Sequence, residues 1–521
     1  MRPSGSSDGT AEVDSPAYAQ LGPPLVGTWS LRARWTLHRT SHHNEAGSIP
    51  GLTQTFEPGR WTTWYRERNL LPGTPFLLSP RLEFDVAMNA FFSSTEMTMA
   101  AEMTCLGYAR DVNAFLNFLE LARGVSDWRD ATEADHVAYL IWRRRDPLGP
   151  RVANATWNRE VSGVDRFYRW QVAKGHVAKS PVPHRARHTR RESGYAAAPR
   201  EVAATYSQAA RQNDIRWLPP RSYRQWRDVG LRGYSRDGSP DPTFRGRFAD
   251  RNALFANLMV RTGLRLAEQA SLTVADLPEM TGGRKFYRFW LSPRVAKGGS
   301  ARWIYVPASI LRALNSYIEI DRRQVLEEAR TRGPAQSLKD RPVLLDRTRI
   351  AWPTHESTPA KLSQLTPQER ANLTVKGQDG LEPAALWLGE AGTPLAASTW
   401  KDIFRRANER CIRQGIELRA HPHMLRHTFA VVTLEQLQRG HIAAMTSQIA
   451  GQRTHYARIF GDPLDWLRRQ LGHKSVTTTQ IYLHALEELE METRMALVPE
   501  TWDVPTFAGT SEDDSDERDG W

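Results

Sequence analysis

Residues 421–430 read HPHMLRHTFA. Pro422 stands where a helix tolerates proline, because the N–H groups of a first turn have no intrahelical partner to lose. Leu425, Phe429 and Val432 then recur at near-helical spacing, which predicts a helix opening at Pro422 with an apolar face. His423 and Arg426 are three apart and project from one side of it. An imidazole beside a guanidinium at a helix start makes an anion site with a proton-transfer group built in. The three histidines His421, His423 and His427 also admit a metal reading, but no cysteine or carboxylate accompanies them in the segment. The expectation is therefore an anion site and no metal. Alone, the pair would be an ordinary surface motif.

Three further segments keep it from standing alone. In Thr262–Leu272, TGLRLAEQASL, Arg265 sits among Leu, Ala and Gly. A guanidinium in such company needs a carboxylate or an anionic ligand. Glu268, three residues on, can hold it, and a purely structural Arg265–Glu268 pair is the competing reading. Phe286–Pro293 and Arg302–Pro307 predict two strands joined by the turn Ala296-Lys297-Gly298-Gly299-Ser300. Lys297 is one of nine lysines in a chain with 70 Lys+Arg, so 70 − 9 = 61 basic residues are arginine. A lysine at a turn is normally a solvated residue. An ammonium can give up a proton, which a guanidinium cannot. Last come LRRQLGHKS at 467–475 and TTTQIYLH at 477–484, where Gly472 ends one helix and the Ser/Thr run caps the next. Two arginines, a lysine, two histidines (His423 and His473) and Tyr482 form a set suited to phosphoryl transfer without metal.

Around these motifs the chain is organised in blocks. Residues 1–84 are rich in Gly, Pro, Ser and Thr and read as a leader or accessory segment, partly disordered. Helical spacing begins near residue 85 and runs through 104–122, 132–145 and 155–175, predicting a helical domain over 85–183. Pro181 and Pro183 stop it. Residues 184–244 follow as a basic linker and entry to a larger domain; the run HRARHTRR contains Arg185, Arg187, Arg190 and Arg191, either solvated or tracking a phosphate backbone. The larger domain covers 245–500. The tail 501–521 holds six acidic residues within Ser511–Asp519 and is expected to be disordered.

The formal net charge of +12 fits a polyanionic partner, although genome-wide codon bias toward arginine gives the same excess. No apolar run approaches the length of a membrane span, the first sixteen residues contain no apolar signal region, and two cysteines (Cys105, Cys411) cannot make a disulfide framework.

Taken together, the motifs resemble those of the tyrosine recombinases, the phage integrase family. The matching positions are TGLRLAE at Arg265, AKGG at Lys297, HMLRH at His423 and Arg426, LGH at His473 and the tyrosine of TTTQIY at Tyr482; YARDV and FLNFL near 108–118 match the helical domain. The resemblance implies a mainly α fold with a small β-sheet: a helical SAM-like core-binding domain plus a mixed α+β catalytic domain. It implies a site-specific enzyme that cleaves and rejoins double-stranded DNA through a 3′-phosphotyrosyl intermediate, in the bacterial cytoplasm on the nucleoid. A homotetramer on DNA follows, with room for accessory proteins or a partner recombinase, and no cofactor. Tyr482 is then the nucleophile, Arg265 and Arg426 hold the phosphate, His423 is the base, Lys297 protonates the leaving oxygen, His473 hydrogen-bonds the phosphate and Glu268 supports the group. Arg185, Arg187, Arg190 and Arg191 are expected to contact DNA. Two stretches depart from the family pattern: insertions near 321–383 and 448–462. A non-cleaving DNA-binding protein and a type IB topoisomerase are the competing readings.

Overall fold

The computed structural model describes residues 34–40, 67, 70–71, 73–187, 200–207, 215–332, 338–352, 360–447 and 462–495. The chain divides into two compact units, Met1–Gln212 and Asn213–Trp521.

The first unit opens with the antiparallel strands β1 (Thr36–Arg39) and β2 (Pro75–Leu78). Two short helices, α1 (Val86–Ala90) and α2 (Thr95–Met99), lead into α3 (Glu102–Phe118), α4 (Glu133–Arg144) and α5 (Asn154–Ala173). All three long helices lie where apolar spacing predicts them. Thr132 caps α4 in a reciprocal box: its hydroxyl accepts from the Asp135 N–H, and the Asp135 carboxylate accepts from the Thr132 N–H at 3.0 Å. The core is aromatic. Phe115, Trp128, Tyr139, Trp157, Phe167 and Tyr168 are all buried, and the Tyr168 hydroxyl donates to the Trp128 carbonyl at 2.9 Å.

The limits of this unit differ from 85–183 at both ends. Trp35 and Leu77, inside the expected leader, belong to its core. Beyond Pro183, residues 184–187 are strand β3 (His184–Arg187), paired antiparallel with β4 (Arg200–Ala203), whose Ala203 reaches the same core. The basic run therefore begins as a hairpin strand, and the division into units falls after Gln212. Alternating basic and small residues have no apolar period, which is why the strand was not legible.

The second unit contains α6 (Pro220–Trp226), α7 (Ala249–Thr262), α8 (Leu266–Ala270), the hairpin β5 (Phe286–Leu291) and β6 (Arg302–Pro307), then α9 (Ala308–Tyr317) and α10 (Arg323–Thr331). The hairpin register sets Trp290 opposite Trp303 and Leu291 opposite Arg302. Tyr287, Phe289 and Leu291 turn inward with Ile304 and Val306, as period-two alternation requires. The expected insertion at 321–383 is a small β module. Its strands are β7 (Val343–Leu344), β8 (Arg349–Ala351), β9 (Ala360–Lys361), β10 (Thr374–Gly377) and β11 (Gly380–Pro383), with helix α11 (Pro367–Ala371) before β10. Their spatial order is β11-β10-β7-β8-β9, with β7 and β10 parallel. Leu344, Ile350, Leu362, Leu365 and Leu373 form its own core.

After the module come α12 (Ala397–Arg413), α13 (Pro422–Ser447), α14 (Pro463–Leu471) and α15 (Thr477–Met495). The main core stacks Phe255 on Trp400 at 3.5 Å between ring centroids, with Trp387 edge-on to both. A second cluster of Phe429, Val431, Leu434, Leu464, Leu467 and Leu471 joins α13, α14 and α15 and includes the Tyr482 ring. Residues 448–461 of the second expected insertion and the acidic tail 501–521 lie outside the described residues. Among the described residues no helix is long and apolar enough to cross a membrane.

Candidate active site

The site is assembled in the second unit from four chain segments. Helix α7 ends at Gly263, whose φ of +65° is left-handed, the conformation a helix-terminating glycine supplies. A Cβ there would run into the Phe429 ring, so glycine is also what lets α13 approach. The turn delivers Arg265 to the start of α8. There its Nη1 donates to Glu268 Oε1 at 2.8 Å, and the Arg265 N–H donates to Oε2 at 3.0 Å.

Glu268 is 1% exposed and is the hub of the site. Besides Arg265 it accepts from Arg302 Nη2 at 2.7 Å, from Arg302 Nη1 at 3.3 Å and from the Lys297 N–H at 3.3 Å. Burial alone would raise its pKa, but the hydrogen bond and charge of Arg302, then the charge of Arg265, win and hold it at about 2. Glu268 is thus ionised and fixes both the guanidinium of Arg265 and the turn carrying Lys297. The Lys297 side chain itself is exposed.

Arg302 was not singled out in the sequence. It is 6% exposed, and its Nε donates to the Gln470 carbonyl at 2.8 Å at the end of α14. It therefore ties the hairpin turn to the segment bearing His473. The signal was available: in β6 the alternation puts Arg302 on the inward side with Ile304 and Val306.

Helix α13 opens at Pro422 as expected. His421 sits just before it, and its Nδ1 accepts the Met424 N–H at 3.1 Å. Arg426 is 1% exposed; it donates to the carbonyls of Gly263 and Leu471, and its Nη2 lies 3.3 Å from His473 Nε2. Burial, followed by repulsion from Arg265 and Arg302, lowers its pKa to about 9. A cation under that strain is relieved by an anion. His473 follows the left-handed Gly472 that ends α14, and its Nδ1 is 3.0 Å from the Thr479 hydroxyl. Burial and then Arg426 push its pKa down to about 4, so its ring is neutral at pH 7.

Tyr482 lies on α15, 1% exposed, with its ring plane 10° from that of His473. Burial drives the phenol up to about 12 despite the opposing pull of Arg426 and Arg265. Its hydroxyl lies 3.0 Å from Nδ1 of His427, and His427 in turn packs against His423 with ring centroids 4.3 Å apart. Among the described residues the hydrogen-bond partner of the hydroxyl is His427 and not His423. Residues 423 and 427 are four apart and share a helix face, a spacing that could have nominated His427 alongside His423. Burial and then His423, Arg426, His421 and His473 bring the His427 pKa to about 3. Burial and then Arg426 also lower His423.

Of the residues expected to contact DNA, Arg185 and Arg187 lie on β3 of the first unit, and Arg185 is exposed. Arg190 and Arg191 lie outside the described residues. Among the described residues no group of three or more His, Cys, Asp or Glu side chains is placed to hold a metal ion.

Two guanidiniums, three neutral imidazoles and a tyrosine hydroxyl enclosed together can hold an oxyanion beside a phenol able to attack it. Comparison with known proteins agrees with that class. The phage integrase family model matches residues 247–437, and the model of the phage integrase N-terminal SAM-like domain matches residues 91–175. Tyrosine recombinase XerC of Lactobacillus delbrueckii subsp. bulgaricus is 21% identical over 396 residues, 75% of this chain and 91% of the relative. XerC of Roseiflexus castenholzii is 23% identical over 385 residues, 74% of this chain and 84% of the relative. Among solved structures, the XerH recombinase bound to palindromic difH substrate aligns over 81% of this chain and 87% of its own at 14% identity and a TM-score of 0.43. The Tn1549 transposon integrase in complex with transposon right end DNA covers 76% of this chain and 95% of its own at 14% identity and a TM-score of 0.39. This chain belongs to the phage integrase family and is a tyrosine recombinase, an enzyme that transfers DNA strands.

Proposed function

We propose that the chain recognises a specific double-stranded DNA site and recombines it for the integration, excision or transposition of a mobile element, acting in the cytoplasm on nucleoid DNA as a homotetramer. Tyr482 attacks the scissile phosphate, giving a 3′-phosphotyrosyl bond and a free 5′-hydroxyl. Arg265 and Arg426 hold the non-bridging oxygens and offset the charge that develops there. When the phosphate draws the Arg426 guanidinium to itself, His473 Nε2, 3.3 Å from Arg426 Nη2 without substrate, is freed to donate a hydrogen bond to the same phosphate, and His423 adds an imidazole beside Arg426. Lys297, on its exposed turn, protonates the departing 5′-oxygen. Because the phosphotyrosyl bond retains the phosphodiester's energy, rejoining needs neither nucleotide nor metal.

The carrying observation is the enclosure of the Tyr482 ring, its hydroxyl on His427, together with buried Arg426, which reaches His473 as well as the Gly263 and Leu471 carbonyls. In the first unit the exposed Arg185 and the register that sets Arg187 opposite Arg200 support a hairpin tracking the DNA backbone. The test is a nicked suicide substrate carrying the cognate site. Wild type should accumulate a covalent protein–DNA adduct and Tyr482→Phe none. An adduct formed by the Phe variant would refute the assignment. Exchange between two labelled sites, as against relaxation of any supercoiled plasmid, separates recombination from topoisomerase action.

A further inference from the structure

We infer that His427 is the base that orients Tyr482 and takes its proton during strand cleavage. This rests on Tyr482 being the nucleophile, and it replaces the expectation that His423 has that role.

Three observations carry it. The Tyr482 hydroxyl is within 3.0 Å of His427 Nδ1, a hydrogen-bonding distance to the reacting oxygen itself. The other imidazole near that ring, His473, has both nitrogens engaged, Nδ1 with Thr479 and Nε2 with Arg426. His423 contacts the His427 ring rather than the phenol. A base must reach the proton it removes, and among the described residues only His427 meets that condition.

The groups facing His427 are Tyr482 on α15, His473 just before it, and His421, His423 and Arg426 around the start of α13. With these cations and dipoles around it, the ring is neutral, as an acceptor requires. In the tautomer with its proton on Nε2, the Nδ1 lone pair faces the hydroxyl. A bound phosphate brings negative charge among Arg265, Arg426 and the imidazoles, which raises the basicity of His427 where the reaction needs it.

The step balances as follows. The Tyr482 O–H bond breaks and its proton passes to the Nδ1 lone pair. The phenolic oxygen forms its bond to phosphorus while the P–O5′ bond breaks, and the 5′-oxygen takes a proton from Lys297. Rejoining returns both protons along the same path.

A substrate with sulfur in place of the bridging 5′-oxygen isolates this step, because a thiolate leaves without being protonated. Full-length wild type on this substrate should form the covalent adduct, and Lys297→Ala should form it at nearly the wild-type rate. His427→Ala should remain slowed by about 10²-fold or more, the range typical of a lost general base. His427→Asn keeps an acceptor where Nδ1 stands but not a base. Its adduct rate should stay low at pH 7 and rise with pH through 9 as solvent base takes over, while the wild-type rate levels off. The inference is overturned if His427→Ala matches wild type on the sulfur substrate. It is equally overturned if His427→Asn follows the wild-type pH profile, or if His423→Ala shows the slow, pH-climbing behaviour instead. Absence of any adduct from wild type would instead count against the recombinase assignment of Tyr482. Equal melting temperatures for His427→Asn and wild type exclude misfolding as the cause.

Discussion

Glu268→Gln removes one charge from the centre of the site and nearly no volume. The carboxylate is 1% exposed and accepts two guanidiniums at 2.7 and 2.8 Å and two backbone N–H groups at 3.0 and 3.3 Å. Arg265 retains solvent access, but Arg302 is 6% exposed and loses the only carboxylate it is paired with among the described residues. Leaving one buried ion without its partner costs roughly 3–5 kcal/mol. At about 2–4 °C per kcal/mol for a domain of a few hundred residues, the melting temperature of the second unit should fall by about 6–20 °C. The pH dependence has a definite sign. The folded pKa of Glu268, about 2, lies below its ordinary 4.5, so its stabilisation is fully present above pH 4.5 and is lost as pH falls toward 2. The gap between wild type and variant should be constant from pH 5 to 8 and narrow only below 4.5. Calorimetry across that range measures it. The double variant Glu268→Gln/Arg302→Met should recover at least half of the loss, since both ions then leave the interior together. A single variant melting within about 2 °C of wild type, or a double variant melting below the single, refutes Glu268 as the electrostatic hub.

Other outcomes follow from the same geometry. Gly472→Ala places a Cβ at φ +63°, within 3.0 Å of the Ser300 hydroxyl and 3.1 Å of Arg302 Nη1; it should cost about 1–2 kcal/mol in urea unfolding and slow cleavage by displacing His473. Thr132→Ala removes the α4 cap and should cost about 1 kcal/mol in the first unit while leaving cleavage of a bound substrate unchanged. His427 and His473 have folded pKa values of about 3 and about 4, below the ordinary 6.5, so each stabilises fully above 6.5. Their contribution is lost as pH falls from 6.5 toward those values. Acid titration of the second unit should therefore show stability declining before the carboxylates titrate, and a flat profile between pH 6.5 and 4.5 would contradict the burial of these rings.

Much of the site was legible because its chemistry depends on residue types at short spacings. Arg265 with Glu268, and His423 with Arg426, announce themselves within one helical turn. The turn at Lys297 is framed by two strands whose alternation is plain. Arg302 and His427 were missed for different reasons. Alternation in β6 turns Arg302 inward, but an arginine's identity argues for solvent, and the partner that lets it be buried, Glu268, lies 34 residues away. His427 was visible, but proximity to the Tyr482 hydroxyl depends on how α15 packs against α13, which spacing does not encode. The long helices α3, α4 and α5 could be read because burial on one face imposes a 3.6-residue period. The β module could not: β7 and β9 have two residues each, too short for alternation to register.

That module has one more property. Arg322, which is 2% exposed, stands one helix (α10) ahead of the module, and the chain comes back from it at Glu382–Ala385. Arg322 grips the return directly: its Nη1 pairs with Glu382 at 2.8 Å, its Nη2 donates to the Pro383 carbonyl, and its Nε to that of Ala385. One buried guanidinium thus staples the chain ahead of α10 to the point where it returns from the module. From the catalytic body's side, whatever is spliced between those points begins and ends at the same place, and lengthening a closed loop costs only about 0.6 kcal/mol per doubling. Because the catalytic body itself holds both ends, the length of the segment between them can change with little effect on the site beside it.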